Sequence, residues 1–272
     1  MVWELTDEVD GRSCVRHAMF VPNFGTFCDP SLVADLAARS EAVGWDGWFL
    51  WDHVVHRLGD EPAVDPWVTL AAVAMRTDRI KIGPMVTPVP RRRPWNLARQ
   101  AVTLDHLSSG RLILGVGIGA SGTPEFEGFG EEVDLIRRGS MLDEGLEVMT
   151  GLWAGDQMHH SGEHYRVEGV RFRPAPLQNP LPVWVAAVWP NHRPLRRAAH
   201  WQGVVPLRLP GPRTLEEVFA IVGEGKDVAV ERDGHPVAAW EEAGATWMLH
   251  EVGRDWPLGR AESLIDAGPS GV

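Results

Sequence analysis

The stretch that decides the fold is Leu107–Gly119, LSSGRLILGVGIG. It opens on a Ser-Ser-Gly turn, continues as a short apolar run and ends with glycine at alternate positions, Gly115, Gly117 and Gly119. A turn, a buried strand and a glycine-rich exit are typical of a strand whose bare backbone approaches a ligand or a neighbouring strand closely. A motif of this kind does not distinguish the two cases by itself.

The segments around this strand alternate between strand and helix patterns. Strands are predicted at 16–22, 47–51, 80–86, within 107–119, and at 182–188, 203–206, 227–230 and 245–250. Helices are predicted between Asp29 and Gly44 and at 65–76, 94–107, 192–200, 214–223, 235–243 and 260–267. Alternation with short connections predicts an α/β fold with a parallel sheet, and eight strands indicate a (β/α)8 TIM-like barrel, a single domain over residues 1–272. A doubly wound open sheet would need a glycine-rich phosphate turn in residues 22–27, which lack one.

Residues 120–180 interrupt this alternation. A long amphipathic helix is predicted at about 132–153, followed by a segment with hairpin-like alternation and turns at Gly155 and Ser161-Gly162. We interpret residues 120–180 as an insertion after strand four.

Composition limits the class of protein. The chain has 272 residues, with 44% hydrophobic and 23% charged residues and a formal net charge of -11. An acidic chain is not suited to bind nucleic acid or an anionic membrane surface. The two cysteines, Cys14 and Cys28, do not suggest a disulfide framework. The acidic N-terminus lacks the apolar core of a signal peptide, and we expect a cytoplasmic protein.

A barrel places its functional residues at the carboxyl ends of the strands. This rule selects a mostly apolar set of residues that would suit a flat ligand with hydrogen-bonding groups. The set comprises Asn23, Phe24, Asp52, His53, residues 85–87, residues 117–120, Ala187, Val188, Pro206, His250 and Glu251.

Asp52-His53 is the strongest chemical element of this set. A histidine at a strand end can exchange a proton with a substrate near neutral pH, or it can simply bond to the neighbouring backbone. Asp52, His53 and His56 could also be metal ligands, although His-x-x-His in a loop is a loose pattern. We expect no metal.

Two further motifs lie beyond strand three. Arg91-Arg92-Arg93 is either a solvated charge run or an anion clamp next to the helix that begins at Pro94. Pro84 interrupts strand three, which indicates a bulge before Met85 and Val86.

Several blocks of the sequence resemble the bacterial luciferase-like flavin-dependent oxidoreductases, and in particular their F420-associated branch. The carrying blocks are residues 41–53, 65–119, 129–155, 180–190, 197–206 and 244–251, of which DPWVTLAAVAMRTDRIKIGPMVTPVPRRRPWNLARQAVTLDHLSSGRLILGVGIG (65–119) is the most specific. The resemblance implies a TIM-like barrel that binds FMN or coenzyme F420 at its C-terminal mouth.

The resemblance also implies roles for individual residues. Met85 and Val86 match a strand-three bulge that often contains a non-prolyl cis peptide bond in relatives. Asp52 and His53 match residues beside the cofactor ring, with His53 as the expected proton donor or ring partner and Asp52 as the group that orients it. The expected cofactor-lining positions are Thr87, Gly117 and Gly119, with Ala187 and Val188 near the phosphate tail.

The sequence departs from this family pattern at two places. Relatives that use a sugar phosphate have a carboxylate where this chain has Ala120, which argues against that substrate. Trp189 and Pro190 stand where relatives have small residues, in the segment that receives the tail.

The expected function is a flavin-type oxidoreductase that acts on a small organic substrate and forms a homodimer. Hydride transfer with F420 and no oxygen chemistry is an alternative. A non-catalytic family member and a metal-dependent barrel hydrolase are further alternatives.

Overall fold

The computed structural model describes residues 15–56 and 61–269. The strands are β1 (Arg16–Val21), β2 (Gly47–Leu50), β3 (Lys81–Pro84), β4 (Thr87–Pro88), β5 (Leu114–Gly117), β6 (Gln157–Ser161), β7 (Arg166–Arg171), β8 (Val183–Val188), β9 (Gly203–Leu207), β10 (Asp227–Glu231) and β11 (Trp247–Glu251). The α-helices are α1 (Pro30–Ala42), α2 (Pro66–Arg76), α3 (Pro94–Leu107), α4 (Pro124–Glu127), α5 (Leu135–Trp153), α6 (His192–Ala198), α7 (Leu215–Val222), α8 (Val237–Glu242) and α9 (Leu258–Ala267). Cys14 lies outside the described residues.

The large sheet is a parallel barrel. Its nine strands run in the order β3-β2-β1-β11-β10-β9-β8-β5-β4. A parallel bridge between Ile82 and Leu112 joins β3 to the residues just before β5 and closes the barrel. β3 lies within the strand predicted at 80–86, and β4 continues the same strand position just beyond that range, after the interruption at Met85 and Val86. With β3 and β4 counted together, the barrel has the eight strand positions of the predicted (β/α)8 fold.

Glycines in the middle of the chain allow neighbouring strands to approach closely. A Cβ atom at Gly115 would overlap the carbonyl oxygen of Pro84, and one at Gly83 would overlap that of Ile113. At Gly117 a Cβ atom would lie 2.9 Å from Cγ2 of Val86. The nearest atoms to Gly115 and to Gly117 therefore belong to residues 84–86.

Aromatic side chains close the N-terminal end of the barrel. Trp184 and Trp247 are fully buried, and their ring centroids lie 5.5 Å apart. Phe49 packs on both rings, and the guanidinium of Arg16 covers Trp247 from outside at 4.4 Å. This aromatic floor fills the space beneath the mouth.

His250 does not face the mouth, contrary to the expectation from its position at the end of the last strand. Its Nε2 lies 2.9 Å from Nδ1 of His17, and its ring packs edge-on against Trp45. Because burial disfavours the charged ring, the pKa of His250 is lowered to about 3. Strand alternation instead turns Leu249 and Glu251 inward. The His17–His250 pair belongs to the outer wall of the barrel.

Residues between β5 and β8 form α4, α5 and the antiparallel pair β6–β7. The Asp134 side chain accepts a hydrogen bond from the Arg137 backbone N–H and caps α5, so this helix begins slightly later than predicted. α5 packs on α3, and Trp153 Nε1 donates to the Ala98 carbonyl at 3.2 Å. In the part of the chain described here, no helix is long and apolar enough to cross a membrane.

Candidate active site at the barrel mouth

The mouth of the barrel receives an inward-facing residue from the end of each strand. These positions follow from alternation along the strands, which also places the inner core residues beneath them. They are Phe20, Trp51, Val86, Gly117, Val188, Leu207, Glu231 and Glu251. The mouth is therefore mostly apolar, with two carboxyl groups on β10 and β11.

Asp52 lies just outside this ring and is held by two arginines. Its fully buried carboxylate accepts hydrogen bonds from Arg91 at 2.7 Å and from Arg92 at 2.8 Å, and also from the Thr87 hydroxyl. Thr87 in turn accepts from Trp67 Nε1 at 3.2 Å. Arg91 and Arg92 are thus partners of a buried acid and form neither a solvated run nor a free anion clamp.

His53 is held by a residue that the sequence analysis did not select, Glu125 in α4. Nδ1 of His53 lies 3.0 Å from Oε2 of Glu125. Oε1 of Glu125 accepts from the Val54 backbone N–H at 2.6 Å and from Arg91 Nη1 at 2.7 Å. No hydrogen bond joins Asp52 to His53 among the described residues, and the carboxylate that contacts this ring is that of Glu125.

Asn23 fixes the backbone of His53. Its amide nitrogen donates to the His53 carbonyl at 2.8 Å, and its amide oxygen accepts from the His53 N–H at 3.2 Å. The His53 side chain is 24% exposed and packs edge-on against Phe24. The polar groups of Asn23 are therefore used to hold the strand end rather than offered to a ligand.

The charges around Glu125 keep it ionised. Burial acts to raise the pKa of this carboxyl, but the hydrogen bond from His53 and the charge of Arg91 outweigh it, so its pKa lies below the ordinary value. Asp52 and Glu125 face two arginines, Arg91 and Arg92. This group, which we name the β2 network, combines buried carboxylates with matching positive charge.

The carboxyl groups on the other side of the mouth lack such compensation. Burial, followed by repulsion from Glu251, raises the pKa of Glu231 to about 7, against a weaker opposing effect of Arg208. Burial also raises the pKa of Glu251, and Arg254 opposes this shift. We name Glu231 and Glu251 the β10–β11 pair.

The residues expected to line the cofactor occupy different environments. The peptide bond between Met85 and Val86 is cis, as the resemblance implied. Thr87 is fully buried and engaged by Asp52. Gly119 has φ +80°, and a Cβ atom there would lie 2.5 Å from the Phe126 ring.

The backbone N–H groups just after β8 are already hydrogen-bonded within the protein. Ala187 packs in the outer core, whereas Val188 is half-buried on the inner side. The Trp189 N–H donates to the Leu207 carbonyl at 3.0 Å, and the Asn191 N–H donates to Val188 at 3.0 Å. Pro190 has no N–H to offer. Trp189, Pro190 and Asn191 are therefore poorly suited to bind a phosphate tail through the backbone.

The alternative of a metal site at Asp52, His53 and His56 has no geometric support in the described residues. No three histidine, cysteine, aspartate or glutamate side chains among them are arranged to hold a metal ion. His56 pairs with Glu61 at 2.7 Å and stacks on Phe24.

Comparisons with known proteins agree with this fold. The sequence pattern of the luciferase-like monooxygenases matches residues 25–245. The F420-dependent glucose-6-phosphate dehydrogenase of Gordonia bronchialis is 35% identical over 167 residues, which cover 60% of this chain and 48% of that protein. The chain thus spans about half the length of this curated relative.

Solved structures share the barrel at low sequence identity. An F420-dependent secondary alcohol dehydrogenase superposes with a TM-score of 0.78 at 16% identity, over 95% of this chain and 99% of that one. A type II Baeyer-Villiger monooxygenase from the CAM plasmid of Pseudomonas putida, solved with FMN, gives a TM-score of 0.63 at 19% identity, over 80% and 67%. These neighbours support the fold.

Proposed function

The chain belongs to the luciferase-like monooxygenase family, and we propose that it is an oxidoreductase that binds coenzyme F420 or FMN at the barrel mouth and transforms a small organic substrate. The observation that carries the proposal is His53, an acid–base group held at the rim of a mostly apolar mouth. The name of the Gordonia relative favours F420 over FMN.

The mouth fits the ring of such a cofactor. Phe20, Trp51 and Val86 give flat or branched apolar walls, and Phe20 and Trp51 lie 5.5 Å apart between ring centroids. The Trp51 indole N–H is buried and has no hydrogen-bond partner among the described residues. A buried donor without an acceptor is costly unless a ligand completes it. Trp51 and His53 would then serve the polar edge of the ring.

The protein's own contribution to the reaction is positioning and proton transfer. The bound cofactor supplies the redox chemistry, hydride transfer in the case of F420. His53 gives a proton to, or takes one from, the substrate through Nε2, because Nδ1 faces Glu125.

Glucose 6-phosphate is not the substrate that we propose. Ala120 is exposed and has no carboxylate to offer, and its backbone oxygen accepts from Arg138 at 3.1 Å. We propose a neutral small molecule instead.

Titration of the purified protein with F420 and, separately, with FMN tests the proposal. We expect saturable fluorescence quenching of F420, and weaker binding of F420 by Trp51→Ala. The half-buried Trp256, distant from His53 in sequence and packed on Arg260, provides a control, since Trp256→Ala should bind like the wild type. Absence of binding to both cofactors would support the alternative of a non-catalytic family member.

The proposal includes a homodimer. Helix α2 exposes two large apolar side chains, Val68 and Met75, to 66% and 69%. Sedimentation equilibrium of the wild type and of Val68→Glu checks this part, and a monomeric wild type would exclude it.

A further inference from the structure

We propose that Glu125 is the positioning residue of His53: it holds the imidazole by Nδ1 in one tautomer and leaves Nε2 as the atom that handles the substrate proton. This inference rests on the proposed function only where it states that Nε2 of His53 exchanges a proton with the substrate. The observation behind it is the contact between His53 Nδ1 and Glu125 Oε2, which lie 3.0 Å apart.

Glu125 has no freedom to move away from this contact. Its side chain is 2% exposed, and its other oxygen is bound by the Val54 N–H and by Arg91. Since Asn23 fixes the backbone of His53 from the opposite side, only the ring orientation remains to be set. Glu125 sets it.

Helix α4 is itself anchored behind Glu125. The neighbouring Phe126 is fully buried, and the guanidinium of Arg138 covers its ring at 3.4 Å. Arg138 also donates to the carbonyl of Glu132 at 2.6 Å and to that of Ala120. Gly119 leaves room for the Phe126 ring, because any Cβ atom would collide with it. A four-residue helix is therefore held rigidly by contacts with α5 and the end of β5.

Charge decides the tautomer. The pKa of Glu125 lies below the ordinary value, so this group is an ionised carboxylate that can only accept hydrogen bonds. The neutral His53 ring must therefore carry its proton on Nδ1, and Nε2 keeps a free lone pair. A carboxylate behind a histidine also stabilises the imidazolium that forms when Nε2 takes a proton.

The substitution Glu125→Gln reverses this arrangement. Val54 N–H and Arg91 both need an acceptor on the same side of the side chain, and the amide has only one oxygen to give. The amide NH2 then faces His53 Nδ1, which must become an acceptor. We expect the neutral ring to switch to the tautomer with its proton on Nε2, which removes the base from the substrate side.

Long-range 1H–15N correlation spectra of histidine-labelled protein, recorded without cofactor at mildly alkaline pH, test this inference. The His53 signals are assigned by comparison with His53→Asn. We expect a protonated Nδ1 in the wild type and a protonated Nε2 in Glu125→Gln. Glu125→Asp restores a carboxylate beside the ring and should return it to the Nδ1 tautomer. A wild-type ring protonated on Nε2, or an unchanged tautomer in Glu125→Gln, would overturn the proposal.

A matched control is available in the β6–β7 region. Glu144 contacts His160 Nε2 at 3.0 Å and accepts from the backbone N–H groups of His164 and Tyr165, so it resembles Glu125 in its contacts but lies elsewhere. Glu144→Gln should change the His160 signals and leave those of His53 unchanged. If the variant Glu125→Gln fails to fold, the wild-type tautomer alone still decides the question.

The two proposals can fail separately. Failure of the protein to bind F420 and FMN would remove the proposed function and leave the tautomer of His53 as measured. An unchanged tautomer in Glu125→Gln would remove the role of Glu125 even in an enzyme that binds its cofactor.

Discussion

The two sides of the barrel mouth hold carboxyl groups in opposite electrostatic states. In the β2 network, Glu125 is buried, yet its pKa lies below the ordinary value because His53 and Arg91 bind it. In the β10–β11 pair, Glu231 has an acidic neighbour and its pKa rises to about 7. Burial acts in the same direction on both sides, so partners decide the charge of a carboxyl group in this barrel.

Removal of the imidazole is the most damaging change that this comparison predicts. His53→Ala should lower kcat by about 10²–10⁴-fold, since the proposed general acid–base group is lost. Glu231→Gln, on the opposite side, should leave most of the activity. Both variants are assayed with the cofactor that the titration identifies and with the substrate that the loaded enzyme accepts. Equal losses in the two variants would mean that the β10–β11 pair shares the proton transfer.

Loss of compensation in the β2 network should destabilise the fold. Arg91→Met leaves Asp52 and Glu125 with less positive charge in a buried setting, and we expect the free energy of unfolding to fall by about 3–5 kcal/mol. Urea unfolding at pH 7 measures this. Arg166→Met, which breaks the exposed pair with Glu168, is the control and should change stability by less than about 1 kcal/mol. Similar values for the two variants would contradict the description of the β2 network.

The β10–β11 pair should make stability fall as the pH rises. Between about pH 4.5 and 7 the native Glu231 keeps a proton that the unfolded chain releases. The free energy of unfolding therefore falls as the pH rises through this window, and the whole decrease is present above pH 7. Glu231→Gln carries no carboxyl group that must ionise in the folded state. We expect its free energy of unfolding, minus that of the wild type, to be about 1–2 kcal/mol larger at pH 8 than at pH 4. Urea unfolding at both pH values measures this, and a difference that does not vary with pH would exclude the raised pKa.

Smaller effects of opposite sign should come from the neighbours of Glu231. Glu251→Gln removes a negative charge, so the pKa of Glu231 should fall below about 7, whereas Arg208→Gln removes a positive charge and should raise it. Carboxyl 13C titration by NMR follows both changes. Shifts in the same direction would show that packing, and not charge, sets this pKa.

The barrel itself was predictable because its strands and helices are locally consistent. Helix α3 has the predicted bounds, Pro94–Leu107, since a proline at its first position and a Ser-Ser-Gly turn after it mark both ends. His250 was placed wrongly because its strand, ATWMLH, is apolar at nearly every position and does not reveal which side faces inward. Burial on both faces removes the alternation that would have shown it.

The polar partners at the mouth were less accessible to sequence reasoning. Asp52 and Arg91 are 39 residues apart, and His53 and Glu125 are 72 residues apart. Nothing local to either residue identifies its partner. A weak indication existed in Thr123-Pro124, which is typical of a helix start and would have placed Glu125 on a short helix beyond strand four, near the mouth.

The aromatic floor of Phe49, Trp184 and Trp247 leaves the mouth as the open end of the barrel. Because Trp184 and Trp247 are completely buried, the barrel is closed at its N-terminal end and open at the mouth. Any ligand of the barrel interior must therefore enter and leave through the mouth, past the β2 network and the β10–β11 pair.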